Sequence, residues 1–163
     1  MLLEGSCHCG KVSYSVVSNT PYPFSRCYCS ICRKLSGGGG YSINIMAEAK
    51  TLKVEGEEYL SVYRSPLNDR GVYEEDGFGF SRRSFCKHCG SMMWNFNSKH
   101  SDWIYPFASS VDTKLPTPPE TRHIMLKHKV PWTIVPKEDQ QFEQYSDESV
   151  EDWHKNRNLY SKI

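Results

Sequence analysis

Apolar and polar residues alternate with a period of two through much of this chain, in short runs bounded by Gly, Pro, Asn or Asp. In KVSYSVV (11–17), Val12, Tyr14 and Val16 fall on one face, as a half-buried strand requires. YSINI (41–45) groups Tyr41, Ile43 and Ile45, and YLSVY (59–63) does the same for Tyr59, Ser61 and Tyr63. Further strands are expected in FGFSRRSF (78–85), WNF (94–96), DWIYPFAS (102–109) and RHIMLKHK (122–129). SPLNDRG (65–71) and LPTPPE (115–120) carry turn and loop chemistry. One helix is expected in SDESVEDWHKNR (146–157): Asp147 or Ser149 caps it, acidic residues fill its first turn, and Lys155 and Arg157 come late. Val150 and Trp153 then share a face. A second, short helix is expected after Cys32, through Arg33–Leu35, and stopped by Gly37. No linker divides the chain, so residues 1–163 read as a single, mainly β domain.

Composition supports the β reading. Alanine occurs only at Ala47, Ala49 and Ala108, against 10 Tyr, 7 Phe and 4 Trp. The 20 Lys and Arg against 19 Asp and Glu leave a net charge of +1, which argues against nucleic-acid and membrane-surface partners. No apolar run approaches the roughly 20 residues that span a bilayer. The opening MLLEGSCHCG lacks a basic segment followed by an apolar one, so a signal peptide is not expected and a cytoplasmic location is. Seven cysteines, an odd number, then point to reduced thiols serving as metal ligands or nucleophiles rather than to a disulfide framework.

Those cysteines fall into three groups: Cys7-His8-Cys9, Cys27-Tyr28-Cys29-Ser30-Ile31-Cys32, and Cys86-Lys87-His88-Cys89 followed by Gly90. In a strand, a CxC pair presents two sulfurs to one side. A CxxC turn with a following glycine is another way to present two. Two such pairs complete a closed tetrahedral zinc site, and the three remaining cysteines match the ligand number that leaves a fourth position open. One partition joins Cys7 and Cys9 to Cys86 and Cys89 and leaves Cys27, Cys29 and Cys32 as the triad. Its rival joins Cys29 and Cys32 to Cys86 and Cys89. The compactness of CYCSIC favours the first. His8 and His88, between ligands, read as solvated.

GSCHCGKVSYSV (5–16), CYCSICRKLSG (27–37) and RSFCKHCGSMMWNF (83–96) together resemble the glutathione-dependent formaldehyde-activating enzyme family, which also includes centromere protein V. HIMLKHKVPWTIV and QQFEQY are similar to that family's closing segment. The resemblance implies a β-tent fold, several small antiparallel sheets around a structural zinc. It assigns Cys7, Cys9, Cys86 and Cys89 to that zinc, and Cys27, Cys29 and Cys32 to a second, exchangeable and catalytic one. It further implies a carbon–sulfur lyase that joins glutathione, its co-substrate, to formaldehyde, giving S-hydroxymethylglutathione, or that cleaves a related thioadduct.

The chemistry suits the residues. A free thiol is mostly protonated at neutral pH, and a three-cysteine zinc can hold an incoming sulfur as thiolate. The two carboxylates of glutathione call for cations or backbone N–H groups, and Arg33, Lys34 and the Ser36–Gly40 loop lie nearest the triad in sequence. Arg82 and Arg83 form a second basic pair, of which alternation does not say which points inward. Tyr41, Phe78, Phe80 and Trp94 read as core rather than pocket. A glutathione carrier or a protein-interaction module is the alternative to an enzyme.

Overall fold

The alternating runs pair with one another through main-chain hydrogen bonds, and a computed structural model describes the result for residues 1–66 and 74–161. The described strands are β1 (Leu2–Ser6), β2 (Ser13–Val17), β3 (Ser25–Cys27), β4 (Ser42–Ile43), β5 (Ala47–Glu48), β6 (Lys53–Glu55), β7 (Leu60–Arg64), β8 (Ser81–Cys86), β9 (Met92–Asn97), β10 (Trp103–Pro106), β11 (Arg122–Ile124) and β12 (Gln140–Gln141). Two helices, α1 (Ser30–Leu35) and α2 (Val150–Asn156), accompany them. The strands make a three-stranded sheet β1-β2-β6, a five-stranded sheet β5-β10-β9-β8-β7 and a four-stranded sheet β12-β11-β3-β4. Mainly β architecture in small sheets is as expected. Not every pairing is antiparallel, however: β11 runs parallel to both β3 and β12. Parallel strands need a long crossover, and β3 reaches β11 only after the chain has passed through the five-stranded sheet.

The alternation of 11–17 is realised as read, with Val12, Tyr14 and Val16 buried beside Leu3, Ile45, Met93, Trp94 and Ile104 in the main core. Tyr14 lies edge-on to Trp94 at 5.4 Å, and its hydroxyl meets Ser110 Oγ at 2.9 Å. Opposite Tyr14 sits Gly5, where a Cβ would come within 2.4 Å of the Tyr14 ring and the Ser110 carbonyl. Only glycine permits that approach.

Elsewhere tertiary packing shortens the expected strands. FGFSRRSF is a strand only from Ser81. RHIMLKHK stops after Ile124, because Met125 turns the backbone to φ 62° and a single 3₁₀ turn follows over Leu126–His128. LPTPPE is a loop, whereas SPLNDRG lies largely outside the described residues. The C-terminal helix forms where expected, and of its two candidate caps Ser149 is the one used: its Oγ accepts from the Asp152 N–H at 3.0 Å. Trp153, fully buried, stacks on Phe24 at 3.7 Å and so docks α2 beside the start of β3. Its loss to alanine would cost about 3–5 kcal/mol. Helix α1 begins at Ser30, earlier than the sequence suggested, so Cys32 lies within it. Among the described residues no helix is long and apolar enough to cross a membrane.

Candidate functional site

The first cysteine group forms where two hairpin tips meet. Strand β1 ends at Ser6, so Cys7-His8-Cys9 occupies a turn rather than the strand expected for a CxC pair. The Gly10 N–H returns to the Cys7 carbonyl at 2.9 Å, and the Val12 N–H points at Cys7 Sγ from 3.3 Å. Across from it, Cys86 closes β8 and the chain reverses through Cys89 into β9. The Gly90 N–H bonds the Cys86 carbonyl at 2.8 Å, with Gly90 at the positive φ of 77° that its position suggested. His8 N–H donates to Ser91 Oγ at 3.1 Å and ties the two tips together. Cys7 Sγ then lies 3.5 Å from Cys9 Sγ, and Cys9 Sγ lies 3.8 Å from Cys86 Sγ. The four sulfurs all lie within 4.8 Å of one another. Cys89 Sγ meets Ser91 Oγ at 3.3 Å, and hydrogen bonds from the Ser91 side chain and backbone hold its thiol down to about 5. His8 and His88 are exposed, as expected of residues between ligands.

The second group is local. Cys27 ends β3, Cys29 is the N-cap of α1, and Cys32 lies one turn into that helix, its N–H pointing at Cys29 Sγ from 3.4 Å. All three are buried, with their sulfurs also within 4.8 Å of one another. Met125, in its left-handed turn, packs against them with Ile31 and Ile124. Cys32 is held well below an ordinary thiol by hydrogen bonds from Cys27 and Cys29, and further by the Arg83 guanidinium. Cys27 is pushed well up, chiefly through its hydrogen bond with Cys29.

Both groups fit a soft, tetrahedral ion. Zinc–sulfur bonds of about 2.3 Å place ligand sulfurs roughly 3.8 Å apart, close to the 3.5 Å and 3.8 Å that separate Cys9 Sγ from the sulfurs of Cys7 and Cys86. All seven cysteines are free thiols. Four sulfurs close one site, and three leave one side of the other for a further ligand. The partition that joins Cys7 and Cys9 to Cys86 and Cys89 is thus the one the fold assembles.

A cavity of about 340 Å³ opens at Cys27, between the four-stranded and five-stranded sheets. Asn95, Asn97 and Tyr105 line it from β9 and β10, and Arg122 lines it from β11, while Asn44 and His100 contribute from loops. Arg122 is 97 % buried by its 3 % exposure, stacks on Phe24 at 4.7 Å and donates to Ser146 Oγ at 2.8 Å. Of the adjacent arginines on β8, Arg83 points inward: it is buried, with Nε and Nη1 lacking hydrogen-bond partners. Arg82 instead pairs with Glu74 at 3.1 Å. Arg33 is half-buried on α1 and Lys34 exposed, and neither lines the cavity at Cys27. Nor do Tyr41, Phe78, Phe80 or Trp94; Trp94 is core, as read, while Phe78 lies at the surface under Arg64.

Sequence reasoning missed a chain of polar groups that starts within the triad's own stretch and is buried at Tyr28 and His123. Tyr28, the residue between the first two cysteines, bonds through its hydroxyl to His123 Nδ1 at 2.8 Å, and His123 Nε2 bonds Asp139 Oδ2 at 2.8 Å. Burial pushes the Tyr28 phenol up to about 12. The position of Tyr28 was its only sequence signal, since His123 and Asp139 are remote from it along the chain.

A family model described as glutathione-dependent formaldehyde-activating enzyme matches residues 2–128. A protein of Halomonas elongata with the name "Putative glutathione-dependent formaldehyde-activating enzyme" is 47% identical over 156 residues, covering 94% of this chain and 95% of its own. A crystal structure of a Rhodobacter sphaeroides protein shares the fold, with a TM-score of 0.52 and 23% identity over 69% of this chain and 91% of that one. By that family match and that relative, the chain belongs to the glutathione-dependent formaldehyde-activating enzyme family.

Proposed function

We propose that this protein is a carbon–sulfur lyase that condenses glutathione with formaldehyde to S-(hydroxymethyl)glutathione, and runs the reverse cleavage, at the Cys27, Cys29 and Cys32 site. The observation that carries the reading is an open group of three buried thiols whose first member faces a cavity of substrate size. Cavities that take small ligands begin at about 300 Å³.

In this reading the chain holds two zinc ions: Cys7, Cys9, Cys86 and Cys89 hold a structural one, and Cys27, Cys29 and Cys32 a second. When bound at the triad, zinc supplies a fourth position at which a thiol sulfur is kept as thiolate. The protein's own groups do the rest. The cavity wall at Cys27 holds the peptide so that its sulfur comes to rest at the triad, trading a bimolecular encounter for a bound one. The side-chain amides of Asn44, Asn95 and Asn97 offer donors and acceptors for peptide groups, and Arg122, paired with Glu148 at 3.6 Å, offers a cation that a ligand carboxylate would share with Glu148. Arg83 places positive charge beside a site made anionic by its sulfurs. In the condensation the thiolate sulfur attacks the formaldehyde carbon, a C–S bond forms, and the carbonyl π pair moves to oxygen. That oxygen takes the proton the thiol gave up, so glutathione and formaldehyde combine with nothing left over. Arg33 and Lys34 are proposed as outer, secondary contacts for the glutathione carboxylates, with their test in a rise of KM at unchanged kcat on Arg33→Ala or Lys34→Ala.

The test is the rate of exchange between glutathione, formaldehyde and their adduct, followed by NMR exchange spectroscopy at matched zinc. Acceleration is expected for the wild type and not for Cys29→Ser or buffer. Equal rates in all three would reject catalysis and leave a glutathione carrier as the reading.

A further inference from the structure

The residue between Cys27 and Cys29 is held from both ends. Tyr28 donates its main-chain N–H to the Ile124 carbonyl at 3.0 Å, which anchors the backbone to β11. Its ring lies between His123 and Tyr41, with centroids 5.7 Å and 5.4 Å away. Its hydroxyl meets His123 Nδ1, and His123 Nε2 meets the Asp139 carboxylate, each at 2.8 Å. A carboxylate only accepts, so the Nε2 nitrogen carries a hydrogen towards Asp139, and the Nδ1 nitrogen is left to pair with the Tyr28 hydroxyl. Tyr28 and His123 have no exposed surface, so water does not substitute for either partner.

We infer that Tyr28, His123 and Asp139 form a positioning chain that presets the three sulfurs of the triad before metal or substrate arrives. The inference rests on reading the triad as a metal site. Tyr28 is the joint between a strand that ends at Cys27 and a helix capped by Cys29. Rotation of the backbone at this joint would part the first two sulfurs, and the three-member chain opposes it by holding the Tyr28 side chain. Among the described residues the four-cysteine group has no such buried three-residue chain: His8 and His88, which lie between its cysteines, are exposed. That site is assembled instead by two hairpin tips. The triad, contained in a six-residue stretch, relies on the side-chain chain that starts at Tyr28.

The experiment is the release of zinc from the full-length protein to a chromophoric chelator by stopped flow. Wild type should give a fast phase, absent in Cys29→Ser and so assigned to the triad, and a slow one from the four-cysteine site. Tyr28→Phe keeps the ring and removes the hydroxyl that bonds His123. It should speed the fast phase about tenfold, at the lower end of the effect of losing a group that orients a metal ligand, and leave the slow phase unchanged. Asp139→Ala, at the outer end of the chain and touching no cysteine, should speed the same phase roughly threefold, and serves if Tyr28→Phe does not fold. With cobalt(II) in place of zinc, the ligand-field absorption of the triad should shift in Tyr28→Phe while that of the other site stays fixed. A fast phase unchanged in both variants overturns the positioning role while leaving the metal site standing. Acceleration of both phases alike overturns it too, since general loosening would then explain the result. A wild type with no fast phase removes the metal reading and the inference with it.

Discussion

Two groups of cysteines stand in one small chain, and they are built in opposite ways. Cys7 and Cys9 come from one end of the three-stranded sheet, Cys86 and Cys89 from one end of the five-stranded sheet, and their meeting joins two parts of the fold far apart in sequence. Cys27, Cys29 and Cys32 come from a single strand-to-helix turn, are buried, and reach a cavity through Cys27. The first group closes a large loop and uses every sulfur, so a bound ion would be held by the fold and would in turn hold it. The second joins nothing distant, and its open side borders space for a ligand. In the proposed reading, what separates the structural group from the reactive one is not the residue type, which is cysteine throughout, but sequence separation and the number of sulfurs.

The largest expected effect breaks the first group. Cys86→Ser should cost more than about 5 kcal/mol of stability, because structural zinc contributes on the order of 10 kcal/mol to folding in small zinc domains. Thermal unfolding followed by circular dichroism would show it, and a melting curve like that of wild type would reverse the assignment of the two groups. Next comes Cys29→Ser, which should reduce bound zinc by one equivalent and adduct exchange to the buffer rate while shifting the melting temperature by only a few degrees. Serine replaces cysteine well as a helix N-cap, so α1 keeps its start. Metal analysis and calorimetry on the same sample check both halves.

Arg83→Met sharpens the comparison further. It removes a buried cation that acts on Cys32 and leaves the hairpin-tip group untouched. The triad's zinc affinity should fall about tenfold, the equivalent of one pKa unit of lost charge stabilisation, in a competition titration. The smallest effect is at the other site. Ser91→Ala removes the side-chain donor that leads in holding Cys89 down to about 5. Cys89 then keeps its proton to higher pH, so the midpoint of acid-induced metal loss from the four-cysteine site should rise by less than one pH unit, while that of the triad stays in place.

The parts of this division legible in sequence are those decided locally. The cysteine spacings, the glycine after Cys89, the face made by Val12, Tyr14 and Val16, and the cap at Ser149 each depend on a few consecutive residues. The parts hidden from sequence are non-local. Arg83 and Ser84 are adjacent yet both buried, because the β8–β9 register shifts between Ser84 and Phe85 and breaks the period of two. The cavity draws on β3 and β11, joined by a parallel pairing that no hairpin signal announces, and on β9 and β10 of the five-stranded sheet packed across from them. Met125 leaves its strand for a left-handed turn beside the triad against its own backbone preference, so tertiary packing decides it. His123 carries no spacing cue, since what joins it to Tyr28 is the pairing of β11 with β3.

The most direct measurement is a stepwise chelation of the wild-type protein in which bound zinc, far-ultraviolet circular dichroism and the adduct exchange rate are recorded on the same samples. The account predicts two separate losses: the first zinc leaves with catalysis while the fold persists, and the second leaves with the fold. Loss of structure at the first step, or full catalysis with only one zinc left, would contradict it.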